Sequence, residues 1–135
     1  MTWAYVDSSC LVAIAFKESN AAGLRKRVAG FDRLLSSNLL EAEVRAAFRR
    51  EELGAATRHE ARKAGDDLLS WVDWVIPSRP LSQEIRAILA SEYLRGPDLW
   101  HLATALYVAP NPSELPFITL DQRQAEVARA LGFSE

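Results

Sequence analysis

The sequence predicts a three-layer α/β sandwich around a central parallel sheet of four or five strands, and three observations lead there. Short runs rich in β-branched, aromatic and aliphatic residues, at Trp3–Val6, Leu34–Ser37, Trp71–Ile76 and Phe117–Leu120, alternate with stretches of helical spacing. The first run is apolar throughout, as a strand covered on both faces must be. No internal repeat or low-complexity segment breaks the alternation, so helices are expected to cover the sheet on its two sides. With 135 residues and 49% hydrophobic content, the chain is expected to form one domain over residues 1–135, burying roughly two-thirds of its unfolded surface.

Trp3–Val6 leads directly into a helix marked by Leu11, Val12, Ala15 and Phe16, with Asp7 at the joint. Asp7 reads in two ways. Asp, Ser and Ser are all good N-caps, while a carboxylate at the end of such a strand lies where open α/β sheets bind ligands. Ala21–Ala29 is a short basic amphipathic helix stopped by Gly30. After the Leu34–Ser37 strand, Ser37 or Asn38 caps a long helix from about Leu39 to Leu53, ended by Gly54. At about 100° per residue, Glu41, Arg45, Arg49 and Glu52 share its outer side, and Glu41 can pair with Arg45. Glu43 falls instead among Leu39, Leu40, Ala46 and Ala47, near Arg50. A carboxylate there snorkels, pairs with Arg50 or faces a cleft, because an unpaired buried charge is costly.

Ala55 to about Ser70 is a further charged helix whose His59 reads as a surface residue. The Trp71–Ile76 strand stops at Pro77, and Trp71 and Trp74 are expected in the core or at a subunit contact. Ser82 is expected to cap a helix reaching about Leu94. Pro97 suits a first helical position, which puts Asp98 in the first turn, favoured by the helix dipole. The helix that follows, to Val108, is apolar nearly all round and should be buried. Asp98 shares a face with His101, Leu102 and Ala105. It is either an acid satisfied by the dipole above a core histidine, or a carboxylate aimed at a cleft. Pro110, Pro112 and Pro116 bracket a loop before the Phe117–Leu120 strand, and Gly132 closes the last helix. Asp121 with Gln124 matches a capping box. Asp121 also repeats the arrangement at Asp7, which would bring both acids to one edge of the sheet.

Composition removes several function classes. Cys10 is the only cysteine, so neither an internal disulfide nor a multi-cysteine zinc site can form. Gly-x-Ser-x-Gly elbows, phosphate-cradling glycine loops and plausible Cys/His pairs are missing from the sequence. No run reaches the roughly 18 apolar residues of a membrane span, and no basic region precedes a long apolar one at the N-terminus. A cytoplasmic protein is expected. The net charge of −2 argues against a generic basic nucleic-acid binder, yet it is unevenly spread. Residues 1–63 carry 11 Lys/Arg against 8 Asp/Glu, and residues 64–135 carry 5 against 10. A basic face beside an acidic pocket would suit a phosphate backbone.

Four acids remain: Asp7, Glu43, Asp98 and Asp121. If they converge, each close ionised pair repels by about 3–4 kcal/mol at an effective dielectric near 20, against a net stability of only about 5–15 kcal/mol. Such a pocket must hold a divalent cation, raise some pKa values, or both. Oxygen-only ligands favour Mg²⁺ or Mn²⁺ over zinc. A hard ion in an acidic cleft orients and deprotonates water and neutralises a phosphodiester transition state.

Four stretches carry a family resemblance: Tyr5-Val6-Asp7-Ser8-Ser9-Cys10-Leu11-Val12, Glu43-Val44-Arg45-Ala46-Ala47-Phe48-Arg49-Arg50, Asp98-Leu99-Trp100-His101-Leu102-Ala103-Thr104-Ala105 and Phe117-Ile118-Thr119-Leu120-Asp121-Gln122-Arg123. In this order and separation the chain resembles the PIN-domain ribonucleases, in particular the VapC-type toxins of bacterial toxin–antitoxin pairs. The resemblance implies a PIN-like fold and a Mg²⁺- or Mn²⁺-dependent endoribonuclease. Asp7 and Asp98 would be the principal metal ligands. Glu43 would orient water or a second ion, Asp121 would complete the pocket, and Ser8 and Thr119 would assist by hydrogen bonding. It further implies a homodimer and a small cognate antitoxin covering the cleft. Leu99 and Trp100 depart from the smaller residue usual after the aspartate, which bears on substrate access. The last edge strand, near Gly132-Phe133, is expected to be very short or missing.

Rival readings differ in single features. A housekeeping or DNA-directed PIN nuclease would lack a neighbouring antitoxin gene, and a partner-binding PIN fold without catalysis would have no need of all four acids. A receiver-like signalling domain needs two adjacent acids after its first strand and a late lysine, whereas this chain has a lone Asp7 and no lysine beyond Lys63.

Overall fold

The structure, a computed structural model, is described for residues 2–50 and 55–135. Four strands form one all-parallel sheet: β1 (Trp3–Val6), β2 (Arg33–Ser37), β3 (Val72–Val75) and β4 (Phe117–Ile118), in the order β3-β2-β1-β4. Parallel neighbours need crossovers, which the helices supply. Helices α1 (Ser8–Ala15) and α2 (Ala21–Ala29) join β1 to β2, and α3 (Leu39–Arg50) and α4 (Ala55–Leu69) join β2 to β3. Helices α5 (Ser82–Leu89) and α6 (Gly96–Val108) lead to β4, and α7 (Gln122–Leu131) follows it.

The period-two alternation of β1 divides the interior. Ala4 and Val6 pack with Leu11, Leu40, Val44 and Phe48 of the α1–α4 side, whereas Tyr5 packs with Leu81, Ile88, Leu102, Val127 and Phe133 of the other. These are the two apolar seams of a three-layer sandwich. The chain steps from β1 outward to β3, then returns to place β4 on the opposite flank of β1. The reversal makes a crevice beyond the carboxyl ends of β1 and β4, where such sheets place ligands.

Several element boundaries differ from expectation, each for a local reason. The last strand ends at Ile118 rather than Leu120 because the Leu120 amide, the next ladder donor, is taken by the Ser9 hydroxyl at 2.9 Å while Asp7 already stands at the N-cap position of α1. Helix α5 ends at Leu89, not near Leu94, and its cap is Leu81, with Ser82 as its first residue. Beyond it the chain must turn to bury Leu94 in the second seam before Pro97 opens α6. Trp71 and Trp74 are not core residues; they are 47% and 38% exposed, on and beside the outer strand. The expected edge strand is reduced to a single parallel bridge between Pro116 and Ser134. The C-terminal part of the long helix, residues 51–53, lies outside the described residues.

Gly65 shows close packing outweighing helix propensity. A Cβ there would fall 2.1 Å from Cζ of Phe48, a buried ring set edge-on against Phe16. Replacing glycine by alanine inside a helix ordinarily gains about 1 kcal/mol, but overpacking costs about 1–3 kcal/mol. Gly65→Ala is therefore expected to lower stability by up to about 2 kcal/mol in denaturant titration. Gly23→Ala, with open space around the new methyl group, is expected to raise it by up to about 1 kcal/mol.

Candidate active site

Asp7 ends β1 and occupies the N-cap position of α1 with φ −100° and ψ 177°, yet its side chain makes no capping bond. The carboxylate is instead held by two hydroxyls: Ser9 donates to Oδ1 at 2.6 Å and Thr119 to Oδ2 at 2.7 Å. Asp7 is only 4% exposed, and this burial pushes its pKa upward against the opposing pull of those hydroxyls. Asp7 thus holds the cap position while its two carboxylate oxygens are taken up by hydroxyls.

Asp121 does act as a cap, accepting the Gln124 amide at 2.8 Å. The reciprocal half of the capping box is supplied by another residue, since the Asp121 amide donates to Thr119 Oγ1 at 3.0 Å. Gln124 is thereby released to bridge, its Nε2 donating to the Asp98 carbonyl at 3.2 Å and its Oε1 facing Thr119 Oγ1 at 2.9 Å. The amide orientation is fixed, because a flip would set two oxygens against each other. Thr119 therefore has one proton for two acceptors, Asp7 Oδ2 and Gln124 Oε1. A protonated Asp7 would complete the count, in keeping with its raised pKa.

Asp98 lies in the first turn of α6, with Arg95 Nη2 3.5 Å from Oδ2. Its pKa is raised first by burial, then by the negative charge of Asp121; Arg95 opposes the shift and Glu43 adds to it. Asp98, Asp121 and Glu43 therefore share one electrostatic environment. Glu43 on α3 lines a cavity of about 450 Å³ with Ser8, Ser9, Val12, Ala46, Ala47 and Arg50. Its Oε1 meets His101 Nε2 at 2.6 Å.

Ser9 and Tyr5 carry no expected site role from the sequence, in which Gln124 figures only in the capping box at Asp121 and His101 only as a core histidine beside Asp98. Ser8 lines the cavity, while the hydroxyl on Asp7 belongs to Ser9, two residues along, the spacing at which a serine in a first helical turn folds back on the cap residue. His101 carried a signal in standing one turn beyond Asp98 on an otherwise apolar helix. Cys10 takes no part, since burial pushes its thiol pKa up to about 12. Among the described residues no three His, Cys, Asp or Glu side chains stand close enough, as they lie, to hold one ion between them.

A parallel sheet with its switch point between β1 and β4, and acids at the ends of both strands, defines an α/β protein with an acidic ligand crevice. The PIN domain family matches residues 4–130, and the chain belongs to it. Among curated proteins it is similar to Ribonuclease VapC46 of Mycobacterium tuberculosis (strain ATCC 25618 / H37Rv), 32% identical over 131 residues, covering 96% of this chain and 93% of that protein. Among the described residues, no helix is long and apolar enough to cross a membrane.

Proposed function

We propose that the chain is a Mg²⁺- or Mn²⁺-dependent endoribonuclease acting as the toxin of a toxin–antitoxin pair, with residues 1–135 working as one domain. The observation that carries this reading is Asp7. A buried carboxylate at the switch point, relieved of capping and gripped by two hydroxyls, has no structural role that an amide or hydrophobe could not fill at lower free energy. The name of the relative, a ribonuclease, supports RNA as the substrate.

The donor set fits a hard ion. Asp7, Glu43, Asp98 and Asp121 offer only oxygens, and the upward shifts of Asp7 and Asp98 are what a nearby cation reverses. Asp7 and Asp98 would hold the ion, with Glu43 and Asp121 completing the pocket. A bound Mg²⁺ or Mn²⁺ supplies an activated water and charge neutralisation at the scissile phosphate. The chain's own residues do the rest. Ser9 and Thr119 fix the two carboxylate oxygens of Asp7, Ser8 and Ser9 line the neighbouring cavity, and Gln124 ties the first turn of α6 to Thr119. Arg50 on the cavity wall and the largely exposed Arg95 are placed to meet flanking phosphates. Exposed Trp74 and Ile76 at the outer strand support self-association of the chain.

The test is cleavage of a labelled single-stranded RNA by purified protein in EDTA, Ca²⁺, Mg²⁺ and Mn²⁺. Cleavage in Mg²⁺ or Mn²⁺ alone, abolished by Asp98→Asn, is expected; metal-independent cleavage, or cleavage of duplex DNA only, would overturn the reading. Induced expression should also arrest growth, with relief on co-expression of a cognate antitoxin.

A further inference from the structure

The fold holds a buried hydrogen-bond chain that runs beneath the crevice. The Tyr5 hydroxyl meets His101 Nδ1 at 2.8 Å, and His101 Nε2 meets Glu43 Oε1 at 2.6 Å. Tyr5 is fully buried and His101 is 1% exposed, while the Glu43 side chain keeps 26% of its surface open. The chain therefore starts in the core on β1, crosses α6 and ends at the cavity wall on α3. Tyr5 is itself clamped. Its ring lies parallel to Phe117 at 5.1 Å and 7°, and His101 stands nearly edge-on to it at 5.8 Å and 78°.

Proton accounting gives the chain a direction. The Glu43 carboxylate can only accept, so the imidazole nitrogen facing it, Nε2, carries a proton. That contact is the strong charge-assisted kind of hydrogen bond, and Nδ1 of the neutral imidazole accepts from the Tyr5 hydroxyl. With Oε1 occupied from below, Oε2 remains for the crevice.

We propose that His101, held at Nδ1 by Tyr5, is a positioning residue for Glu43, so that one carboxylate oxygen is anchored and the other is presented to the bound ion or its water. The inference rests on the metal-dependent reading above and goes beyond it by assigning work to two residues outside the four acids. The arrangement reverses the usual metal-site pairing, in which a carboxylate orients a ligating histidine. The physics is the same, because anchoring a ligand before the ion arrives removes the entropy of ordering it afterwards. A histidine kept only to fill the core would need neither hydrogen bond, and leucine would serve better.

Two measurements decide the matter, one of them without metal. Long-range ¹H–¹⁵N spectra of the metal-free protein are expected to show His101 protonated on Nε2, with Nδ1 accepting; an unprotonated Nε2 would overturn the proposal. Calorimetric titration with Mn²⁺ is expected to show affinity lowered about 10-fold or more in His101→Leu and about 3-fold in Tyr5→Phe. His101→Gln, which can return an N–H to Glu43, is expected to recover most of the loss. Tyr5→Phe keeps the core filled, so it serves even if His101→Leu fails to fold. Wild-type affinity in all three variants would overturn the positioning role alone, whereas absence of Mn²⁺ binding by the wild type would overturn the metal-dependent reading beneath it.

Discussion

Asp7→Asn is expected to lower RNA cleavage by about 10³-fold and, at the same time, to make the fold more stable. The two effects share a cause. Burial raises the folded-state pKa of Asp7 above the ordinary value of 3.8, so the folded chain holds a proton that the unfolded chain gives up. Below pH 3.8 both states are protonated and Asp7 exacts no penalty. As pH rises from there through the raised folded value, stability is progressively lost, and the loss is then constant. Asparagine cannot ionise, and its Nδ2 can donate to Thr119 Oγ1, freeing the Thr119 proton for Gln124 Oε1. The Tm of Asp7→Asn is therefore expected to exceed that of the wild type by about 3 °C or more at pH 7. The gap should close as pH falls toward 4, and a gap widening at low pH would contradict the assignment. Differential scanning calorimetry across pH measures both.

Glu43→Gln and Glu41→Gln are expected to differ by about 50-fold or more in cleavage rate although they lie two residues apart on α3. Glu41 is half exposed and paired with Arg45 at 3.0 Å, and Arg45 also reaches Asp66. Such surface pairs contribute about 0–1 kcal/mol, so Glu41→Gln should stay within about twofold of the wild-type rate. Glu43 faces the cavity from the opposite side of the helix and is anchored on His101. Its amide variant is expected to cleave about 10²-fold more slowly with little change in fold. Equal losses in the two variants would discredit the division of the helix into an outer and a crevice-facing side.

That division was legible from the sequence, because helical spacing alone separates Glu41 from Glu43. The layer architecture was legible for the same reason, each strand and helix carrying its own period. What escaped were features that depend on partners distant in the chain. Strand β4 is shorter than its apolar run because the Leu120 amide is taken by Ser9, 111 residues away. Asp7 resembled an N-cap because its neighbours are good caps, and only the Ser9 and Thr119 contacts reveal that its side chain is otherwise engaged. His101 looked like core filling on an apolar helix, and its role appears once α3 and β1 bring Glu43 and Tyr5 to its two nitrogens. Capping chemistry at Asp121 was readable locally, whereas the substitution of Thr119 for Gln124 in closing the box was not.

On the metal-dependent reading, a divalent ion draws together and balances the carboxylates near the ends of β1 and β4. The decisive measurement is the thermal unfolding of the metal-free protein titrated with Mn²⁺, beside Asp7→Asn under the same conditions. Saturating Mn²⁺, at about 100-fold above its Kd, is expected to raise wild-type stability by about 2.7 kcal/mol and to leave Asp7→Asn nearly unmoved. A wild-type protein indifferent to Mn²⁺, or a variant stabilised as much as the wild type, would contradict that reading.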